Sequence, residues 1–86
     1  MATSSIVLST AWQLLVDPSK DFLISMTTGG VIEVAMRDTA TPPIGSGHLL
    51  RLVDNDAVGR GIVGPGYVYA RAYPPDSSAN IALTLW

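Results

Sequence analysis

Val31-Ile32-Glu33-Val34-Ala35-Met36-Arg37 places its large apolar residues at every second position from Ile32 to Met36. Successive side chains of an extended chain point to opposite faces, so Ile32, Val34 and Met36 are expected to face a core while Glu33, Ala35 and Arg37 point away. Phe22, Ile24 and Met26 repeat the pattern upstream. Trp12, Leu14 and Val16 form a third set and Ile81, Leu83 and Leu85 a fourth, and these twelve residues are the expected core. Working outward, strand-sized apolar runs fill the chain at Ser5 to Ser9, Ala11 to Val16, Asp21 to Met26, Val31 to Arg37, His48 to Val53, Gly61 to Val63, Tyr67 to Tyr73 and Asn80 to Trp86. About eight short strands at this spacing predict an all-β fold, a single small antiparallel β-sandwich or barrel of jelly-roll type. The alternative over Ile6 to Val16 is an amphipathic helix stopped by Pro18.

Turn chemistry separates the runs. Asp17-Pro18-Ser19 makes one bend, and Thr28-Gly29-Gly30 supplies the positive φ that a hairpin needs before Val31. Thr41-Pro42-Pro43 through Gly47 is a longer loop, followed by Asp54-Asn55-Asp56, Gly64-Pro65-Gly66 and Pro74-Pro75-Asp76-Ser77-Ser78. No linker or repeat divides the 86 residues, and two cores would each be too small to fold, so residues 1–86 read as one domain.

The five basic and seven acidic residues make up 14% of the chain, against roughly 25% in an ordinary soluble domain. A monomer of 9.1 kDa exposes about 4,900 Å², and so few charges cannot keep that area mostly polar. Part of the surface is therefore expected to be covered by other protein. A membrane is the other way to hide it, but the uncharged run from Met1 to Val16 contains Thr3, Ser4, Ser5, Ser9, Thr10 and Gln13, too many polar groups for a spanning helix. No basic residue precedes Ile6 as in a secretory signal. A net charge of −2 gives nonspecific nucleic-acid binding no electrostatic basis. With no cysteine, disulfides, thiolate metal sites and cysteine nucleophiles are excluded.

Motifs that could carry chemistry fail on context. Gly59-Arg60-Gly61-Ile62-Val63-Gly64 matches a dinucleotide-binding glycine pattern, but Pro65-Gly66 stands where the helix should run. Asp54-Asn55-Asp56-Ala57-Val58-Gly59 opens like a calcium loop, yet Val58 and Pro65 occupy ligand positions five and twelve. His48 is the sole histidine and Glu33 the sole glutamate, so neither a two-histidine metal site nor paired glutamates can be built. No catalytic, cofactor or metal residue is expected, and the chain does not read as an enzyme.

Tyr67, Tyr69, Arg71 and Tyr73 share one face of one strand. Aromatic rings with an arginine are what protein interfaces favour, and they also stack on sugars. Three readings stand: a partner interface, a sugar site, or a core face with Val68, Ala70 and Ala72 turned outward.

Taken in order, Thr10-Ala11-Trp12, Thr28-Gly29-Gly30-Val31-Ile32-Glu33-Val34, the Pro42-Pro43 loop leading to Gly47-His48-Leu49-Leu50, Gly66-Tyr67-Val68-Tyr69-Ala70-Arg71-Ala72 and Ala79-Asn80-Ile81-Ala82-Leu83 resemble small all-β virion proteins of tailed bacteriophages. Those proteins decorate or cement capsids, or attach to head and tail fibres. The resemblance implies a structural role on the virion after synthesis in the host cytoplasm. It implies as partner the major capsid protein or another virion protein, and a homo-oligomer with a trimer favoured. It brings no cofactor, and Tyr67 to Tyr73 would be the partner interface. The alternative is a tail or fibre module that recognises host-surface polysaccharide.

Overall fold

The computed structural model describes residues 2–26, 31–41, 50–52, 57–60, 66–73 and 78–86. They form eight strands: β1 (Ala2–Leu8), β2 (Gln13–Val16), β3 (Phe22–Met26), β4 (Ile32–Arg37), β5 (Leu50–Leu52), β6 (Ala57–Gly59), β7 (Tyr67–Ala72) and β8 (Ala79–Leu85). One sheet has the order β1-β8-β3-β6 and the other β2-β7-β4-β5, with every pairing antiparallel.

A simple rule generates this order. The chain behaves as one long antiparallel ribbon in which β1 pairs β8, β2 pairs β7, β3 pairs β6 and β4 pairs β5. Successive rungs of the ribbon go alternately to one sheet and the other. Each sheet is then closed in its middle by one further pairing, β8 with β3 and β7 with β4. This is the jelly roll, two sheets facing each other with four edges and no closed barrel. It satisfies the sequence's need to bury one face of every strand, since each sheet covers the other. The accessible surface of 4695 Å² and radius of gyration of 11.5 Å match a compact chain of this size, about 4,900 Å² and about 12 Å.

Between the sheets lie Leu8, Phe22, Ile24, Val58, Ile81 and Leu83 from one side and Val16, Ile32, Val34, Val68, Ala70 and Ala72 from the other, all at most 4% exposed. Met26 and Ala79 are buried with them, and Ile6, Leu15 and Leu85 pack against the margin. Eight of the twelve expected core residues are buried, Leu85 packs at the edge and Met36 is half-buried. Trp12 and Leu14 are not core. Between Leu14, opposite Tyr69, and Val16, opposite Val68, the ladder slips by one residue. Such a bulge reverses the facing of everything before it, so Leu14 stands 44% exposed while Val16 is 2% exposed.

Residues 6–16 are strands with a bend between them, as expected, and the helical alternative is ruled out. Two further expectations change. Thr28-Gly29-Gly30 lies outside the described residues; the strands on either side of it, β3 and β4, belong to different sheets and do not pair with each other as a hairpin would require. The sixth strand is Ala57–Gly59, ahead of the expected Gly61 to Val63, which lies outside the described residues. Gly59, the first glycine of the apparent dinucleotide pattern, is needed inside the ladder. It pairs with Leu23, and a Cβ there would stand 2.9 Å from the Phe22 carbonyl oxygen.

Arg60, immediately after β6, ties three segments together. Its guanidinium donates to the carbonyls of Gly66 at 2.8 Å, Asp17 at 3.0 Å and Lys20, and lies 4.9 Å from the centre of the Phe22 ring. The arginine within the apparent dinucleotide motif is thus a clamp on the Asp17 turn. That turn is also held by the Asp17 carboxylate, which accepts from the Ser19 hydroxyl and, at 2.9 Å, from the Ser19 amide.

Candidate functional site

On β7, Val68, Ala70 and Ala72 are each 0% exposed and face the opposite sheet, so Tyr67, Tyr69, Arg71 and Tyr73 are on the outer side. This removes the reading in which the tyrosines were core. β7 lies in the middle of its sheet, flanked on both sides, by β2 and β4.

The outward row meets complementary rows on its neighbours. Across to β4, Arg71 stands opposite Glu33, Tyr69 opposite Ala35 and Tyr67 opposite Arg37. Across to β2, Tyr69 stands opposite Leu14, and the same register continues to Trp12 beside Arg71. Arg71 is the hub. Its Nε and Nη2 both reach Glu33 Oε1, at 2.8 and 2.7 Å, and its guanidinium plane lies 4.6 Å from the centre of a Trp12 ring. Arginine suits this role because its flat, weakly hydrated cation stacks on an aromatic face and donates sideways at once.

Burial on this outer face is uneven. The Glu33 side chain is 1% exposed and that of Arg71 20%, while Tyr69 is 3% exposed and Ala35 6%. Trp12, Tyr67 and Tyr73 remain half-buried, with Leu14 open to solvent. The end of β7 is held on both sides, the Ala72 amide donating to Ser9 at 2.7 Å and the Tyr73 amide to Val31 at 2.9 Å. The result is a half-covered strip of rings around one ion pair, with Tyr67, Trp12 and Tyr73 as its accessible parts. It offers stacking and hydrogen-bonding surface; its carboxylate and guanidinium are engaged with each other.

Sequence reasoning placed four of these residues and assigned Glu33 to an outer face, but not to Arg71. The signal was available, since both are outward positions of six-residue strands. Trp12 and Leu14 gave no such signal, because only the bulge turns them out.

The other sheet presents a different outer face. Thr3, Ser5 and Val7 of β1, Asn80, Ala82 and Thr84 of β8, Leu23 and Ser25 of β3 and Ala57 of β6 alternate with the buried positions, and none of the four strands carries a charged residue. Val7 is 67% and Leu23 40% exposed on this face. Apart from these two the side chains are small, and Thr3 and Thr84 share a hydrogen bond of 2.8 Å between their hydroxyls. The face is consequently low in relief as well as uncharged.

His48 and the Asp54-Asn55-Asp56 turn lie outside the described residues, as do Gly61 to Pro65. Among the described residues no group of three or more metal-ligating side chains converges, and no helix is long and apolar enough to cross a membrane. No family model matches the chain, and no curated protein and no solved structure matches it.

Proposed function

We propose that this protein is a structural component of a tailed-bacteriophage virion, a decoration or cement protein that lies on the coat lattice and stabilises it. The observation that carries the proposal is the charge-free outer face of the β1-β8-β3-β6 sheet. Covering it desolvates no charge, and the centres of protein interfaces are likewise depleted of charged residues. The face contributes few large anchors, so each contact is weak. Repetition over a symmetric lattice supplies the remaining affinity when copies are linked to one another. The resemblance of the sequence to small virion proteins supports the same reading, with the major capsid protein as partner and a homo-oligomer as the bound form. Jelly rolls serve in capsids and in lectins alike, so the fold by itself does not choose between partners.

The half-exposed Trp12, Tyr67 and Tyr73 favour one second reading, a tail or fibre module that stacks these rings on host polysaccharide. The two readings use opposite faces. Cosedimentation of the purified protein with empty coat shells tests them. The lattice reading expects binding that Ser25→Lys with Ala82→Lys abolishes and Tyr67→Ala with Tyr73→Ala leaves intact. No binding to shells, combined with glycan binding lost in the tyrosine variant, would overturn it in favour of the second.

A further inference from the structure

An antiparallel sheet ends in strands whose outer backbone groups have no ladder partner, and proteins protect such edges with shortness, charge, proline or bulges. Three of the four edges here carry such devices. β5 and β6 have three residues each, with Arg51 inside the one and Arg60 directly after the other, and β2 is broken by its bulge and followed by Asp17-Pro18. β1 carries none of them. It has seven residues, Ala2–Leu8, with no charge, no proline and no irregularity, and every one pairs with β8 in unbroken register. Among the described residues no strand pairs with its other side.

We propose that this edge is completed by β1 of a second copy, the two strands running antiparallel about a twofold axis at Ser5. The sequence of the strand selects this occupant. In the register that uses its whole length, Ser5 meets Ser5, Ser4 meets Ile6, Thr3 meets Val7 and Ala2 meets Leu8, so each off-axis pair joins a small residue to a larger one and no pair joins like charges. The ladder is about 24 Å long, and the molecule is 18 Å through its thin direction. The contact is thus roughly 400 Å² per partner, at the low end of specific interfaces, so self-association is weak and concentration-dependent. The two β1-β8-β3-β6 sheets become one eight-stranded sheet with a continuous uncharged outer face. The inference holds whether or not the protein belongs to a virion.

Because the chain lacks cysteine, single thiols report the register directly. Across the axis two Ser5→Cys side chains have Cβ atoms about 4.5–5.5 Å apart, close enough for a disulfide after small adjustment. Two Thr3→Cys thiols are offset by four residues, about 14 Å, and cannot bridge. Under mild oxidation S5C is expected to give covalent dimers at least tenfold faster than T3C. A second pair of variants tests the same register without thiols, using the exposed outer positions Thr3 and Val7. Sedimentation equilibrium up to about 1 mM is expected to show dimer for the unaltered protein and for T3K/V7E, which places opposite charges across the axis, and monomer for T3K/V7K, with circular dichroism unchanged throughout. Equal crosslinking of S5C and T3C, a monomer at every concentration, or an oligomer indifferent to the sign of residue 7 would each overturn the proposal. Failure here would leave the shell-binding result above unaffected.

Discussion

Replacing Arg71 with alanine removes the cation from a carboxylate that is 1% exposed, and it also uncovers the Trp12 ring on which the guanidinium lies. Breaking a buried ion pair from one side costs about 3–5 kcal/mol, because the remaining charge keeps its desolvation penalty after losing its counter-charge. Arg71 is itself one-fifth exposed, which places the expected cost at the lower end, about 3 kcal/mol. An 86-residue domain has a total stability of about 4–13 kcal/mol, so this single change consumes a large share of it. In thermal melts the loss corresponds to a fall in Tm of about 12–24 °C, and in urea it appears as a lower midpoint at unchanged slope. Removing both charges tests the cause. Glu33→Leu with Arg71→Met leaves no buried carboxylate, and it is expected to recover most of the stability that Arg71→Met alone loses. An Arg71→Ala cost below about 1 kcal/mol, the range of solvent-exposed pairs, would refute the argument. So would a double variant no better than the single one.

The bulge makes Val16→Ala cost about 2 kcal/mol in urea denaturation and Leu14→Ala about 0.5 kcal/mol or less, whereas unbroken alternation would make them equal. Gly66 sits at φ +133°, and a Cβ there would lie 2.5 Å from Met36 Sδ and 2.8 Å from the Arg37 carbonyl oxygen. Gly66→Ala is accordingly expected to cost about 2 kcal/mol or more by the same assay. The hydroxyl and amide of Ser19 donate to Asp17, and with Lys20 and Arg60 nearby they hold its carboxyl below the ordinary 3.8. A carboxyl with a depressed folded pKa binds fewer protons folded than unfolded, so its contribution is present above pH 3.8 and lost as pH falls through the folded value. The stability difference between the unaltered protein and Asp17→Asn should shrink across that acid window; a difference independent of pH would contradict the assignment.

How much of this was legible in the sequence divides along physical lines. Period two placed β3, β4 and β8, because in those strands every other residue is apolar and the ladder is regular from end to end. The tyrosine row was found for the same reason. Its facing was left open between an interface, a sugar site and a core face, because period two separates the two sides of a strand without saying which side is covered. Trp12 and Leu14 were lost to one extra residue in β2, an event with no local signature in Gln13-Leu14-Leu15-Val16. Strand β6 was missed because its glycine is required by close approach to the Phe22 carbonyl, a contact between residues far apart in the chain. Sheet membership was equally hidden. A glycine pair between two apolar runs signals a hairpin by local rules, whereas here β3 and β4 each find two partners in different sheets, which only the wrapped ribbon supplies.

The charge-free face was present in the composition without being localised by it. Low charge predicted that some surface is covered, and the topology shows that Ala2–Leu8, Phe22–Met26, Ala57–Gly59 and Ala79–Leu85, dispersed along the chain, assemble into one uncharged sheet. Whether that sheet rests on a coat lattice is decided most directly by electron cryomicroscopy of intact particles. The proposal predicts density for a body of about 31 × 29 × 18 Å at symmetric positions on the shell, with β1, β8, β3 and β6 toward the coat subunits. Density confined to a tail or fibre, with Trp12, Tyr67 and Tyr73 directed outward, or none on the particle, would contradict it.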